Sequence, residues 1–491
     1  MENGNRSSFW KSFLPIAALV IVLAALGIYG IHSLFEAIIA RRNAGQETTA
    51  QATTRDPGPT PGVISSDEST ESRLINRNYS AFLDRLGEVE TLFTKNQVLA
   101  YDLETMHESA MQAYVEKAGG DWADYKDAKP EYAPSDVVVP RNDSEFLDRM
   151  GEIEELVQER LHLSDEEREA CEDAAYRGLV DGSGDIYSAY LTEKEWDEMM
   201  ESSSGSYCGI GVQISQNRET LVSEVVKVFS NSPAKEAGMK AGDIFRAVNG
   251  MDVTQMLLDE IVTYVRGEEG TRVDITVYRP SSDETLTLNC ERRQVEVDTV
   301  FYEMKGDGIG YLELTEFDEV SVAQVRDAVI SLEAQGMKKL IFDLRGNPGG
   351  LLSSVLEIAD YFVNKDLLIF RMDYIDGETY TEKSHSKPLF EGEMILLVDG
   401  NSASASEVMT GILQDYQRAT IMGTQTFGKG IVQSFFVLKD GGALKTTIAH
   451  YFSPKGRDFH GVGITPDILG EDDVLTEDND ELLNQALEQL K

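Results

Sequence analysis

The sequence predicts a multidomain chain: an N-terminal transmembrane helix, an α-helical segment, a small β-rich α+β domain and a larger α/β domain. Three observations predict it. Residues 13–31, FLPIAALVIVLAALGIYGI, run 19 positions without a charge. A helical stretch near residue 82 returns 64 residues later. After residue 206 the pattern changes to short strands broken by glycine, and from about 297 to buried apolar strands alternating with amphipathic helices.

The apolar stretch is long enough to cross a bilayer as a helix. Its exit, HSLFEAIIARRN, offers no small-x-small cleavage site, so a retained anchor is expected rather than a removed signal peptide. Arg6 and Lys11 stand before the span and Arg41 and Arg42 after it, which leaves its orientation open. Residues 43–74, centred on DPGPTPG, have the composition of a flexible tether.

Helical periodicity begins near 75. FLDRLGEVETL at 82–92 returns as FLDRMGEIEEL at 146–156, and the match continues without a gap to the pairs Gly120-Asp121 and Gly184-Asp185. The shared apolar positions fall at helical spacing, so two copies of one helical unit are expected. Packing and self-association into a homo-oligomer are the plain roles for the first copy.

The next segment opens on YCGIGVQIS, a short strand entered through glycines, with helices expected at SPAKEAG and over 257–266. Beyond 297, GIGYLELTEF, KKLIFDLRG and MILLVDG read as strands. VAQVRDAVISLEAQG, LSSVLEIADYFV and a run from about 404 read as helices. Together they suggest a helix-covered sheet. The tail beyond 469 is acidic and helical.

The 491 residues carry 86 acidic and 44 basic side chains, a formal charge of −42. Phosphate binding needs a basic surface, so nucleic acid is not an expected partner. The three cysteines, Cys171, Cys208 and Cys290, are widely spaced and form no CxxC or Cys/His cluster. Neither a zinc site nor a disulfide framework is suggested, and buried free thiols are expected.

Chemistry is concentrated in NSASASEVMTGILQDYQRATIMGTQTFGKGIVQ at 401–433. A serine hydroxyl needs a base to become a nucleophile, and histidine is the usual one. No histidine lies in this stretch. His385, His450 and His460 lie within the same α/β region, so a Ser-His-Asp arrangement stays open beside the Ser-Lys variant. Lysine serves only unprotonated, about three pH units below its free value, at a cost of about 4 kcal/mol. FGKGIVQ offers suitable surroundings: glycines that let backbone pack closely around Lys429, and apolar Phe427, Ile431 and Val432. Ser404 stands at a strand-to-helix junction, where free N–H groups, that of Ala405 first, can meet a developing oxyanion. Ser402 and Ser406 read as helix caps. Asp343 and Arg345 read as a structural pair, and Glu407 as a partner of the helix dipole.

Three stretches resemble the C-terminal processing peptidases, the carboxyl-terminal or tail-specific proteases of serine peptidase family S41. They are SPAKEAGMKAGDIFRAVNG at 232–250, which is similar to that family's PDZ domain; DLRGNPGG at 343–350; and SASASE at 402–407 with FGKGIVQ at 427–433 and GVGITPD at 461–467. The resemblance covers roughly 165–470. It implies an α/β protease core of the ClpP/crotonase-like type, with Ser404 as nucleophile, Lys429 as general base, Gln433 holding the lysine and Gly350 as the second oxyanion donor. It also implies that the PDZ domain takes a polypeptide's C-terminal tail as an added strand, its carboxylate on the loop Tyr207–Gly211, with Cys208, Gly209, Ile210 and Gly211 the candidates.

The expected organisation is therefore a cytoplasmic end and anchor (1–42), a linker (43–74), a duplicated helical region (75–206), a PDZ domain (207–295), a Ser-Lys protease core (296–470) and an acidic tail (471–491). The function implied is a serine endopeptidase, without metal or cofactor, held in the cell membrane through residues 13–31. Its catalytic part would lie outside the cytoplasm, in a bacterial periplasm or at the outer surface. The rival is a tethered PDZ adaptor with a silent protease core.

Overall fold

The computed structural model describes residues 81–129, 144–217, 220–229, 231–439, 441–470 and 480–491. The expected anchor (13–31) and tether (43–74) lie outside the described residues. Among the described residues no helix is long and apolar enough to cross a membrane.

The helical region is built on two helix pairs, Ala81–Asn96 with Leu103–Lys117 and Glu145–Leu161 with Asp165–Asp181, with shorter helices at Trp122–Tyr125 and Glu193–Ser203. The two repeated stretches bury equivalent positions: Phe82 and Phe146, Leu83 and Leu147, Leu86 and Met150, Val89 and Ile153. Their shared glycine has a physical reason. A Cβ on Gly87 would stand 3.0 Å from Leu147 Cδ1, and one on Gly151 3.4 Å from Leu83 Cδ1. Each copy's glycine thus seats the other copy's leucine, a local two-fold arrangement. Serine caps with the expected geometry start the second pair, at Ser144 and Ser164.

A short strand, Ala189–Leu191, leaves this region and pairs antiparallel with Ala443–Phe452 of the distant α/β domain. The chain then enters and leaves the PDZ domain through one two-stranded ladder, Ser206–Gly209 with Arg293–Glu296. Inside, the main sheet runs in the order Val212–Gln216, Ser223–Val228, Ile244–Val248, Arg272–Arg279, Glu284–Glu291. Val212–Gln216 is its edge, beside the helix Leu258–Val265, whose first N–H donates to Gln216 Oε1.

The α/β domain holds two sheets. One has six strands in the order Val300–Gly306, Ile309–Leu314, Lys339–Asp343, Glu393–Val398, Thr420–Gly423, Ile468–Leu469, parallel beyond its first hairpin. The strands at its centre are buried on both faces, as their continuous apolar runs require. Helices Glu319–Ala334, Leu352–Ala359 and Ala405–Asp415 cover one face. The C-terminal helix Glu481–Gln489 covers the other, with Leu482 and Ala486 against Ile341, Ile395 and Leu397. Arg345 fixes that helix by bonding both Asp343 on the central strand and Asp480, the helix N-cap. The second sheet is antiparallel. Its long strand Ala443–Phe452 takes Ile431–Val437, Leu368–Tyr374 and the visiting Ala189–Leu191 as partners.

Candidate active site

Ser404 is the turn between the strand Glu393–Val398 and the helix Ala405–Asp415. Its φ of 53° and ψ of −113° are a strained backbone for a residue with a Cβ, costing about 1–3 kcal/mol. The Ser404 hydroxyl accepts no cap hydrogen bond. Its neighbours do other work. Ser402 Oγ donates to Leu344 O at 2.8 Å and Ser406 Oγ to Asn347 O at 2.9 Å. The expected caps at 402 and 406 are therefore stitches between the serine turn and the DLRGNPGG loop. That loop closes on Ser404 through Gly349, where a Cβ would stand 2.8 Å from Ser404 Cβ. Gly350 follows at φ 139°. Among the described residues, the N–H groups of Gly350 and Ala405 take no protein acceptor, so both are free for a ligand.

Lys429 lies in the same cavity as Ser404, with Gly350, Val432, Gln433 and Lys445 also in its wall. The glycines beside it act as the sequence suggests. A Cβ on Gly428 would meet Gly463 N at 2.8 Å, and one on Gly430 would meet His460 Cβ at 3.0 Å. Phe427, expected to shield the lysine, is instead 55% exposed. Its N–H is tied to Ser402 O, and the side chain faces out. The cover comes from Ile431, Tyr451 and Tyr187, whose ring centroid is 4.9 Å from Lys429 Nζ. Burial, helped by the like charge of Lys445, lowers the Lys429 amine from 10.5 to about 7. Lys445 is buried as well and is lowered to about 8. Neither ammonium is ion-paired among the described residues.

Glu407 is the member of the site that sequence reasoning missed. Its carboxylate is fully buried and accepts four hydrogen bonds. They come from Ser404 N (3.0 Å), Thr426 Oγ1 (2.7 Å), Gly428 N (2.7 Å) and Lys429 N (2.7 Å). Burial pushes this carboxyl up while the four donors pull it down. It clamps the lysine loop to the serine turn. The Tyr451 hydroxyl repeats the clamp from the other side, reaching Ser404 O at 3.1 Å and also Lys429 O.

Gln433 is in the cavity wall, but its amide donates to Thr447 Oγ1 at 3.4 Å, not to Lys429. The ladder register explains this: past a shift between Val432 and Gln433, Gln433 sits opposite Thr447. Among the described residues no histidine is hydrogen-bonded to Ser404. His385 meets Asp360 and Glu382, and His460 takes the Gly430 N–H.

In the PDZ domain, Cys208 and Gly209 are not loop. They pair with Gln294 and Arg293 in the entry ladder, because the domain's two ends are joined there. Ile210 is buried and its carbonyl takes the Ala234 N–H. The turn is made at Gly211, φ 77°, where a Cβ would stand 2.3 Å from Ser232 Cβ. The Tyr207 phenol is raised by burial, opposed by the Val212 and Gly211 N–H groups against its oxygen. Cys171 and Cys290 are buried free thiols, and Cys208 is half-buried.

The peptidase family S41 model matches residues 308–469, and a PDZ domain model matches 224–279. The chain is 34% identical over 345 residues to the carboxy-terminal-processing protease of Bartonella bacilliformis, covering 67% of this chain and 76% of that protein. It is 36% identical over 297 residues to a "Probable CtpA-like serine protease" of Staphylococcus aureus, covering 60% of this chain and 59% of that one. The chain thus spans about three fifths of the length of the Staphylococcus relatives. A solved photosystem II D1 C-terminal processing protease is similar at 25% identity and a TM-score of 0.39, over 75% of this chain and 95% of that one. The chain belongs to peptidase family S41 and carries a PDZ domain.

Proposed function

We propose that the protein is a membrane-anchored serine endopeptidase that cuts polypeptides near their C-termini through a Ser404–Lys429 dyad. The neutral Lys429 amine takes the Ser404 proton as Oγ attacks the scissile carbonyl. The Gly350 and Ala405 N–H groups receive the oxyanion. The resulting ammonium returns the proton to the leaving amine, and water, activated by the same lysine, releases the acyl group. The observation that carries this is Lys429 itself: a buried amine without an ion pair, lowered to about 7, in one cavity with a serine hydroxyl that caps no helix.

The substrate's C-terminal tail adds as a strand to Val212–Gln216, the edge of the PDZ sheet, with its carboxylate near the Gly211 turn. Residues 13–31 hold the chain in the cell membrane with the catalytic part outside the cytoplasm. Ser404→Ala and Lys429→Ala, made separately in the full chain, should each abolish cleavage of a tailed peptide while the far-ultraviolet spectrum stays unchanged. Near-normal turnover in either variant rules out the dyad. A folded wild-type chain that binds tailed peptides but never reacts with a serine-directed probe would instead be the silent adaptor.

A further inference from the structure

The two helical copies meet the active site at one buried carboxylate, Asp185. Asp185 accepts from Gln97 Nε2 (2.8 Å), Ser188 Oγ (2.6 Å), the Tyr187 N–H (2.9 Å) and Thr447 Oγ1 (2.7 Å). Gln97 follows the first helix of the first copy, and its neighbour Val98 donates its N–H to Thr447 O at 2.9 Å. Asp185 and Tyr187 form the turn after the second copy. Thr447 lies on the strand that also carries Lys445, and its hydroxyl accepts the Gln433 amide. A continuous set of hydrogen bonds therefore runs from both helical copies, through Asp185 and Thr447, to the wall of the Ser404–Lys429 cavity.

All four donors to Asp185 are neutral. Among the described residues no cation touches this carboxylate, yet two lysines outside any ion pair stand close enough for its charge to act on both. The four donors hold Asp185 as the carboxylate against its burial, so its negative charge is present beside the lysines. It stands behind the cavity wall, joined to Gln433 through Thr447, and with Glu407 it is one of two carboxylates that act on Lys429. We propose that Asp185 is a positioning residue of the active site, orienting Gln433 through Thr447 and supplying the negative charge that balances Lys429 and Lys445. The helical region is then a working part of the site. This rests on the assignment of Ser404 and Lys429 above.

The titratable groups around Lys429 are Lys445 and Tyr451 of the strand Ala443–Phe452, Asp185 and Tyr187 of the turn, and Glu407 of the serine helix. His460 lies behind Gly430, with His450 edge-on to it. The like charge of Lys445 pushes the Lys429 amine down. Asp185 acts in the opposite direction. The two neighbours therefore have opposite signatures on the pH at which Lys429 becomes a base.

The test measures the rate at which a fluorophosphonate labels Ser404 in the full chain as a function of pH, with peptide mapping of the label. Asp185→Asn should move the acidic limb to lower pH by about one unit and lower the plateau rate several-fold. Lys445→Met should move the limb to higher pH. Thr447→Val keeps the Asp185 charge and cuts the link to Gln433. It should lower the plateau while leaving the midpoint in place, and it serves if Asp185→Asn fails to fold. Wild-type midpoint and plateau in Asp185→Asn, or a wild-type plateau in Thr447→Val, overturn the proposal and leave the dyad intact. If wild-type Ser404 is not labelled at any pH, or Ser404→Ala labels equally, the dyad itself is wrong and the proposal falls with it.

Discussion

Replacing Lys429 with methionine removes a buried amine while keeping a side chain of similar length, and it should make the protein more stable as it destroys activity. In the folded chain the amine titrates at about 7, against 10.5 when exposed. At 1.36 kcal/mol per pH unit, that difference is about 5 kcal/mol against the charged form. The unfolded chain binds the extra proton between about pH 7 and 10.5, so stability rises with pH across that window. Below about 7 the lysine is charged in both states and the whole penalty is present. Relaxation and water reduce such buried-charge costs, so a gain of about 2–4 kcal/mol at neutral pH is expected. For a domain of this size that is a rise of roughly 5 °C or more in the unfolding midpoint. The assay is thermal unfolding of both proteins at a matched scan rate from about pH 6 to about pH 10. The gap should be widest at the acidic end and shrink as pH rises. A variant that is no more stable at neutral pH, or a gap independent of pH, would refute a Lys429 whose charged form is disfavoured by burial.

Glu407→Gln turns an acceptor of four hydrogen bonds into a group whose amide faces N–H donors. Each unsatisfied buried donor costs about 1–3 kcal/mol, so both the unfolding midpoint and peptide hydrolysis should fall, the latter at least about ten-fold. Gly350→Ala puts a Cβ 2.4 Å from Phe317 O at φ 139° and must turn the N–H away. Hydrolysis should drop about a hundred-fold in kcat, with tail-peptide binding to the PDZ domain unchanged in a fluorescence titration. Arg345→Met strands Asp343 and Asp480 and should cost about 3 kcal/mol, seen as faster amide exchange in the helix Glu481–Gln489.

What could be read from the sequence was local. Ser404 and Lys429 stand in short motifs marked by their flanking small residues, and the central strands announce themselves as unbroken apolar runs. The repeated glycine at 87 and 151 pointed to a duplicated helical unit, and the structure gives it a packing partner. Contacts made at long range stayed hidden. Glu407 looks like an ordinary acid in a first helical turn, because the loop it clamps is about 20 residues away in sequence. Asp185 and Thr447 are 262 positions apart and meet through a strand of only 3 residues, too short to give a pattern. Phe427 faces outward, and apolar character alone does not say which way a residue in a glycine-flanked turn points. Cys208 and Gly209 look like loop in YCGIGV, since the partner strand that makes them a ladder lies beyond the whole domain.

The most direct test is the pH dependence of acylation at Ser404. Full-length protein is mixed with an acylating chromogenic ester, the burst of product is followed by stopped flow, and the quenched enzyme is mapped by mass spectrometry. The expected result is one acyl group on Ser404, a burst rate that rises with pH through a midpoint of about 7, and no acylation in Lys429→Ala. An acyl group on another residue, or a burst in Lys429→Ala with the wild-type rate and pH profile, would contradict the assignment of Lys429 as the base.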